Sequence, residues 1–124
     1  MNTLYQARQS IKEAISTDMP ELNVYPFIPG RPTTPCFAVE PGSPYMSEGA
    51  TFCEFEVRYS CILLADNATN ETATELLDQL ICEVIDALDA WVIESVEQPS
   101  QFEVNNNYFL GTRIDIRAPK TLTI

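Results

Sequence analysis

The residues in this chain best able to do chemistry are four cysteines, at positions 36, 53, 61 and 82, and a large excess of carboxylates. No histidine occurs in the 124 residues and no two cysteines stand in a Cys-x-x-Cys pair, so the usual zinc sets cannot be assembled. A thiol nucleophile needs a basic neighbour to lower its pKa, and the commonest such neighbour is missing. The same absence removes Ser-His-Asp and Cys-His arrangements, and no Ser-x-x-Lys spacing replaces them. Gly30, Gly42, Gly49 and Gly111 each stand alone, which gives neither a phosphate-cradling loop nor a dinucleotide fingerprint. Paired-carboxylate chemistry is left, with Glu54 and Glu56 beside Arg58 as the nearest approach to it. It requires an apolar pocket that splits the two pKa values, and the sequence supplies no sign of one. The reading is a protein without catalytic residues, cofactor or metal.

Eighteen acidic against seven basic side chains give a net charge of −11, which opposes binding that depends on Lys and Arg displacing counterions from phosphates. Such a charge serves solubility, a basic protein partner, or a surface that lies near DNA without adhering to it. The apolar fraction of 45%, with six Phe, five Tyr and one Trp, is enough for one packed core, and residues 1–124 read as a single domain. Arg8, Lys12, Glu13 and Asp18 interrupt the first twenty residues, so they hold neither an export signal nor a membrane span. The expectation is a chain that stays where it is made, in a reducing compartment where Cys53, Cys61 and Cys82 act as small buried hydrophobes. The sequons Asn67-Ala68-Thr69 and Asn70-Glu71-Thr72 then read as helix-start chemistry.

Periodicity supplies the elements that must position these residues. Leu4, Ala7, Ile11, Ala14 and Ile15 recur at helical spacing, ahead of a stop near Ser16 or Thr17. Leu22 to Tyr25 reads as a short strand and Cys36 to Glu40 as a second, at a sheet edge. Six prolines between 26 and 44 forbid a helix there, and 41–50 reads as a long turn or mobile loop. On that loop Tyr45 and Met46 either anchor a partner or pack back on the sheet. From Phe52 to Leu63, Cys53, Phe55, Val57, Tyr59, Cys61 and Leu63 alternate with Glu54, Glu56, Arg58 and Ser60, which predicts a long central strand. Thr72 and Glu75 have capping-box spacing, opening a helix whose stripe runs from Leu76 to Trp91. Its other side carries Glu75, Asp78, Glu83, Asp86 and Asp89, either a solvated face or one held toward a negative or a basic partner. Val92–Val96 and Gln101–Val104 read as short strands and Asn105-Asn106-Asn107 as a tight turn. A last long strand follows, with Tyr108, Leu110, Thr112, Ile114 and Ile116 on one face. The order α-β-β-β-α-β-β predicts an α+β domain: one mostly antiparallel, mixed sheet packed by two helices, with a proline-rich loop at 26–50 and a tail at 119–124.

This succession resembles the tail terminator proteins of long-tailed bacteriophages and the related head-to-tail connector, or neck, proteins. The likeness rests on the first helix ending before Leu22-Asn23-Val24-Tyr25, the approach to Pro35-Cys36-Phe37-Ala38-Val39, the strand 52–63, the helix with Leu76-Leu77-Asp78-Gln79-Leu80-Ile81, and Tyr108 to Ile116. The resemblance implies a virion protein that assembles in the host cytoplasm as a homo-oligomeric ring, a hexamer, at the head-proximal end of the tail. There it would end tail-tube polymerisation and meet the connector. Its partners would be itself, the tail-tube protein, the head-completion or connector protein, and DNA that passes the lumen without specific binding; no membrane is involved. The contacts would fall to the 41–50 loop with Tyr45, Met46 and Glu48, the turn with Asn106, and the tail with Leu122 and Ile124. Glu75, Asp78, Asp86 and Asp89 would form an acidic surface that repels phosphate. A different reading of the same carboxylates is an acidic inhibitor that imitates DNA and occupies a basic nucleic-acid site.

Overall fold

The computed structural model describes residues 3–27, 30–49, 54–66, 70–118 and 122–123. Helix α1 (Thr3–Asp18) leads into strand β1 (Asn23–Tyr25), then β2 (Cys36–Glu48), β3 (Glu54–Asp66), helix α2 (Glu71–Ala87), β4 (Val92–Val96), β5 (Ser100–Val104), β6 (Asn107–Arg117) and β7 (Leu122–Thr123). Among the described residues these strands form one sheet in the order β1-β2-β3-β6-β4, with β5 joined to β6 and β7 to β3. Only the β1–β2 pair is parallel. The fold is the α+β layer that the element order predicts, with the three strand segments read after α2 present as β4, β5 and β6, and β7 added from the tail.

The core lies between the helices and one face of the sheet. Ile11 and Ile15 from α1, with Leu77 and Val84 from α2 and Leu88 just beyond it, meet Phe37, Val39, Val57, Tyr59, Cys61, Leu63, Ile114 and Ile116. All of these side chains are fully buried. Each contributes roughly 1.5–3 kcal/mol through burial, so the helical stripe and the strand alternation together carry most of the stability. On the far face, beyond the polar positions Glu54, Glu56, Arg58 and Ser60, Ile62 and Leu64 join Cys36 and Phe109 in a second buried cluster. Phe102 and Val104 on β5 pack against it. Phe109 keeps the face opposite Leu110 that the alternation gives it but is buried there, while Tyr108 is 55% exposed.

Three further expectations are corrected. First, 41–48 is strand and not loop. Pro41 pairs with Tyr59 and Met46 with Val57, so a bulge absorbs the extra residues and the strand resumes. Tyr45 and Met46 accordingly pack against the core, half-buried. Second, α2 is capped by Asn70 and not by Thr72: the Asn70 side chain accepts a hydrogen bond from the Ala73 N–H at 2.9 Å. Third, Cys82 is exposed, because the stripe through Leu77, Leu80 and Val84 turns position 82 outward. Phe52 and Cys53, the expected start of the central strand, lie outside the described residues, as do Asn67 to Thr69 of the sequons.

The hairpin β5–β6 turns at Asn105 and Asn106, with φ of 51° and 67°, the left-handed pair that a two-residue turn of this twist demands. Gly111 is required for a different reason. A Cβ there would lie 2.5 Å from the Leu63 carbonyl oxygen. Gly111→Ala should therefore lower the unfolding free energy by about 1–3 kcal/mol. Asn70→Ala should cost about 1 kcal/mol and Thr72→Ala only a few tenths. Urea midpoints of the three variants check both points, and equal losses for Asn70→Ala and Thr72→Ala would contradict the cap.

Candidate interaction surfaces

The far face of the sheet divides into an apolar half and an ionic half. Beyond Ile62, the strands β2, β3 and β6 turn Glu40, Arg58, Ser60, Arg113, Asp115 and Arg117 away from the helices. Arg58 Nη1 donates to Ser47 Oγ at 2.9 Å, Nη2 to Glu56 Oε2 at 3.2 Å, and Nε lies 3.2 Å from Glu94 Oε1. Arg117 Nε reaches the other Glu94 oxygen at 3.9 Å. Arg113 Nη1 donates to Glu40 Oε2 at 3.0 Å and to Ser60 Oγ at 2.8 Å, and Ser95 Oγ donates to Asp115 Oδ2 at 3.0 Å. An open groove of about 540 Å³ crosses this network between Pro41-Gly42-Ser43 and β4. Gly42 is set against Arg58 so closely that a Cβ would meet its backbone at 2.7 Å. Arg117 meets Glu94 on the adjacent strand, while Arg58 reaches Glu94 and Arg113 reaches Glu40 across one intervening strand, so the network ties β2, β3, β6 and β4 together and leaves a polar surface of paired charges.

The other surface is acidic. On α2 the exposed carboxylates are Glu71, Glu75, Asp78, Glu83 and Asp86, with Asp89 just past the helix end. Among the described residues no ion pair reaches any of them, and the last turn carries no basic residue. Glu71 sits at the positive end of the helix dipole, where it stabilises; Asp86 sits at the negative end, where it does the opposite. Gln79 Nε2 donates to Glu83 Oε1 at 3.0 Å, the one side-chain hydrogen bond among these positions.

The expected contact residues are scattered rather than gathered. Tyr45 stacks edge-on against Tyr59 with centroids 5.6 Å apart. Glu48 is exposed at the far end of β2, and Asn106 is exposed at the β5–β6 tip. Leu122 belongs to β7, whose backbone pairs with Glu54 and Phe55 of β3, so this part of the tail is sheet rather than a free arm. Ile124 lies outside the described residues. The open strand edges are the additional feature: the edge place expected for Cys36–Glu40 holds beyond Ala38, and the structure extends that edge to Glu48 and adds β4. Beyond the three residues paired with β1, the outer edge of β2 from Val39 to Glu48 has no neighbour among the described residues, and β4 pairs with β6 alone. The prolines at 41 and 44 were the available signal, since proline within a strand belongs at an edge.

Among the described residues no group of three or more Cys, Asp or Glu is placed to hold a metal. No helix among them is long and apolar enough to cross a membrane. Burial pushes the Cys36 thiol up to about 11, and burial, aided by the Asp115 and Glu40 carboxylates, raises that of Cys61 as well. Both thiols stay protonated at neutral pH, whereas Cys82 is open to solvent. Alkylation at pH 8, mapped by mass spectrometry, should label Cys82 in the native protein and leave Cys36 and Cys61 unlabelled until denaturant is added. Native labelling of Cys61 would contradict the packing. Compared with known proteins, the chain matches no family model, and no curated protein matches it significantly.

Proposed function

We propose that this protein is a structural component of a phage virion, a ring at the head-proximal end of a long tail that ends tube polymerisation and joins the tail to the head connector. The observation that carries the reading is the pair of dissimilar open edges at opposite ends of one sheet, β2 from Val39 to Glu48 and β4. They lie about 14 Å apart across three strand spacings. A head-to-tail contact needs two different surfaces on each copy, and it produces a closed ring when the rotation per copy is right. Strand edges are natural donors for such a contact, because their N–H and C=O groups seek partners. The ionic face adds polar complementarity to either edge, with Glu94 and Ser95 on β4 and Pro41-Gly42-Ser43 on β2 flanking the same groove. The uncompensated carboxylates of α2 suit a passage that DNA traverses without adhering.

Size-exclusion chromatography with light scattering tests this reading. A closed oligomer of about six copies, formed alone or on addition of tail-tube protein, is the expected result. A strict monomer under both conditions would overturn it. Displacement of DNA from a basic nucleic-acid-binding enzyme by the unassembled chain would favour the DNA-imitating inhibitor instead.

A further inference from the structure

Between the C-terminal end of α1 and the flank of α2 runs a groove of about 780 Å³. Its floor is apolar, made by Met19, Leu22, Leu76 and Leu80, and its rim carries Asp18, Glu21, Glu83 and Asp86. We infer that this groove docks a basic, apolar-anchored segment of another protein, one that presents Lys or Arg side chains around two or three aliphatic residues. The inference does not depend on the ring reading.

Two observations specify that occupant. The first is charge. Among the described residues no ion pair reaches Asp18, Glu21, Glu83 or Asp86, so four carboxylates surround an apolar trough with no described cation set against them. A second copy of a chain with net charge −11 is a poor occupant, and a cationic segment is a good one. The second is helix chemistry. Glu83 and Asp86 stand near the negative end of α2, where an acid destabilises the helix and a lysine would stabilise it. A local rule broken without local compensation marks a position whose use lies elsewhere. The spacing also fits: Leu76, Gln79, Leu80, Glu83 and Asp86 occupy one side of α2 over about 15 Å, the length of roughly three helical turns of a bound peptide.

The test uses the full chain, isotope-labelled, with a 14-residue amphipathic peptide bearing leucines at positions i, i+4 and i+7 and lysines elsewhere, and its Glu-for-Lys counterpart. The lysine peptide should shift amides of 17–22 and 76–86 and the glutamate peptide should shift none. The double variant Glu83→Lys/Asp86→Lys should weaken binding at least tenfold while its melting temperature stays the same or rises, which separates lost docking from lost folding. The variant Glu75→Lys/Asp78→Lys, on the same helix but outside the groove, should change affinity by no more than about twofold. Equal weakening by both variants would show general attraction to an acidic protein and would overturn the inference. So would shifts centred elsewhere, or none with the lysine peptide at millimolar concentration.

Discussion

Tyr59, at the middle of β3 and fully buried, is the point through which the two layers hold each other. Its hydroxyl donates to the Leu4 carbonyl at 2.9 Å, fastening the first turn of α1. Its ring meets Tyr45 of β2 at 5.6 Å and Trp91, just past α2, at 6.2 Å, both edge-on. The Arg8 guanidinium lies 5.6 Å from the same ring and donates to the Pro26 carbonyl at 2.8 Å. Each contact is worth about 0.5–1.5 kcal/mol, but the four tie α1, β2 and the turn after α2, three segments distant in sequence, to one side chain. Burial, reinforced by Tyr45, raises the Tyr59 pKa, so the hydroxyl keeps its proton and the hydrogen bond persists at any physiological pH.

With one face committed to the helices in this way, the rest of the sheet is free for other uses. The far face is divided between the apolar cluster around Ile62 and Phe109 and the ion-paired groups around Arg58 and Arg113. The ion pairs are half-exposed and contribute modestly to stability; their value lies in holding register between β2, β3, β4 and β6. Three of the chain's five arginines, Arg58, Arg113 and Arg117, are gathered there while α2 stays acidic, so an overall negative protein presents one ion-paired surface and one uncompensated one. That division, more than the net charge, is what distinguishes the possible partners of each face.

How much of this could be read from the sequence follows from where one physical signal dominates. The α2 stripe and the β3 alternation are strong because burial on one side sets every second or every third-to-fourth residue, and both elements appear where periodicity puts them. β2 was legible only as far as Glu40, because Pro41-Gly42-Ser43-Pro44 carries turn chemistry; the strand tolerates it at an open edge through a bulge that no local pattern announces. Asn70 and Thr72 are both good capping residues, and the choice between them depends on where the helix axis must lie to bury Ala73 and Leu77. Phe109 keeps its place in the alternation but is buried rather than wet because β5 folds Phe102 against it, a tertiary contact that pairing creates. Of the interaction surfaces, the acidic face was visible as a run of carboxylates. The edge place of β2 was visible as far as Glu40, whereas the β4 edge and the α1–α2 groove were not, since both arise from which strands and helices become neighbours.

The central claim is that this domain works through edges offered to copies of itself and surfaces offered to adjoining particles. Electron cryomicroscopy of the chain mixed with growing tail tubes tests it most directly. The account predicts a closed ring on one tube end, in which the β2 edge of each copy meets the β4 edge of the next. Tubes that elongate unchecked beside single, unassociated chains, or a ring in which neither edge is used, would contradict it.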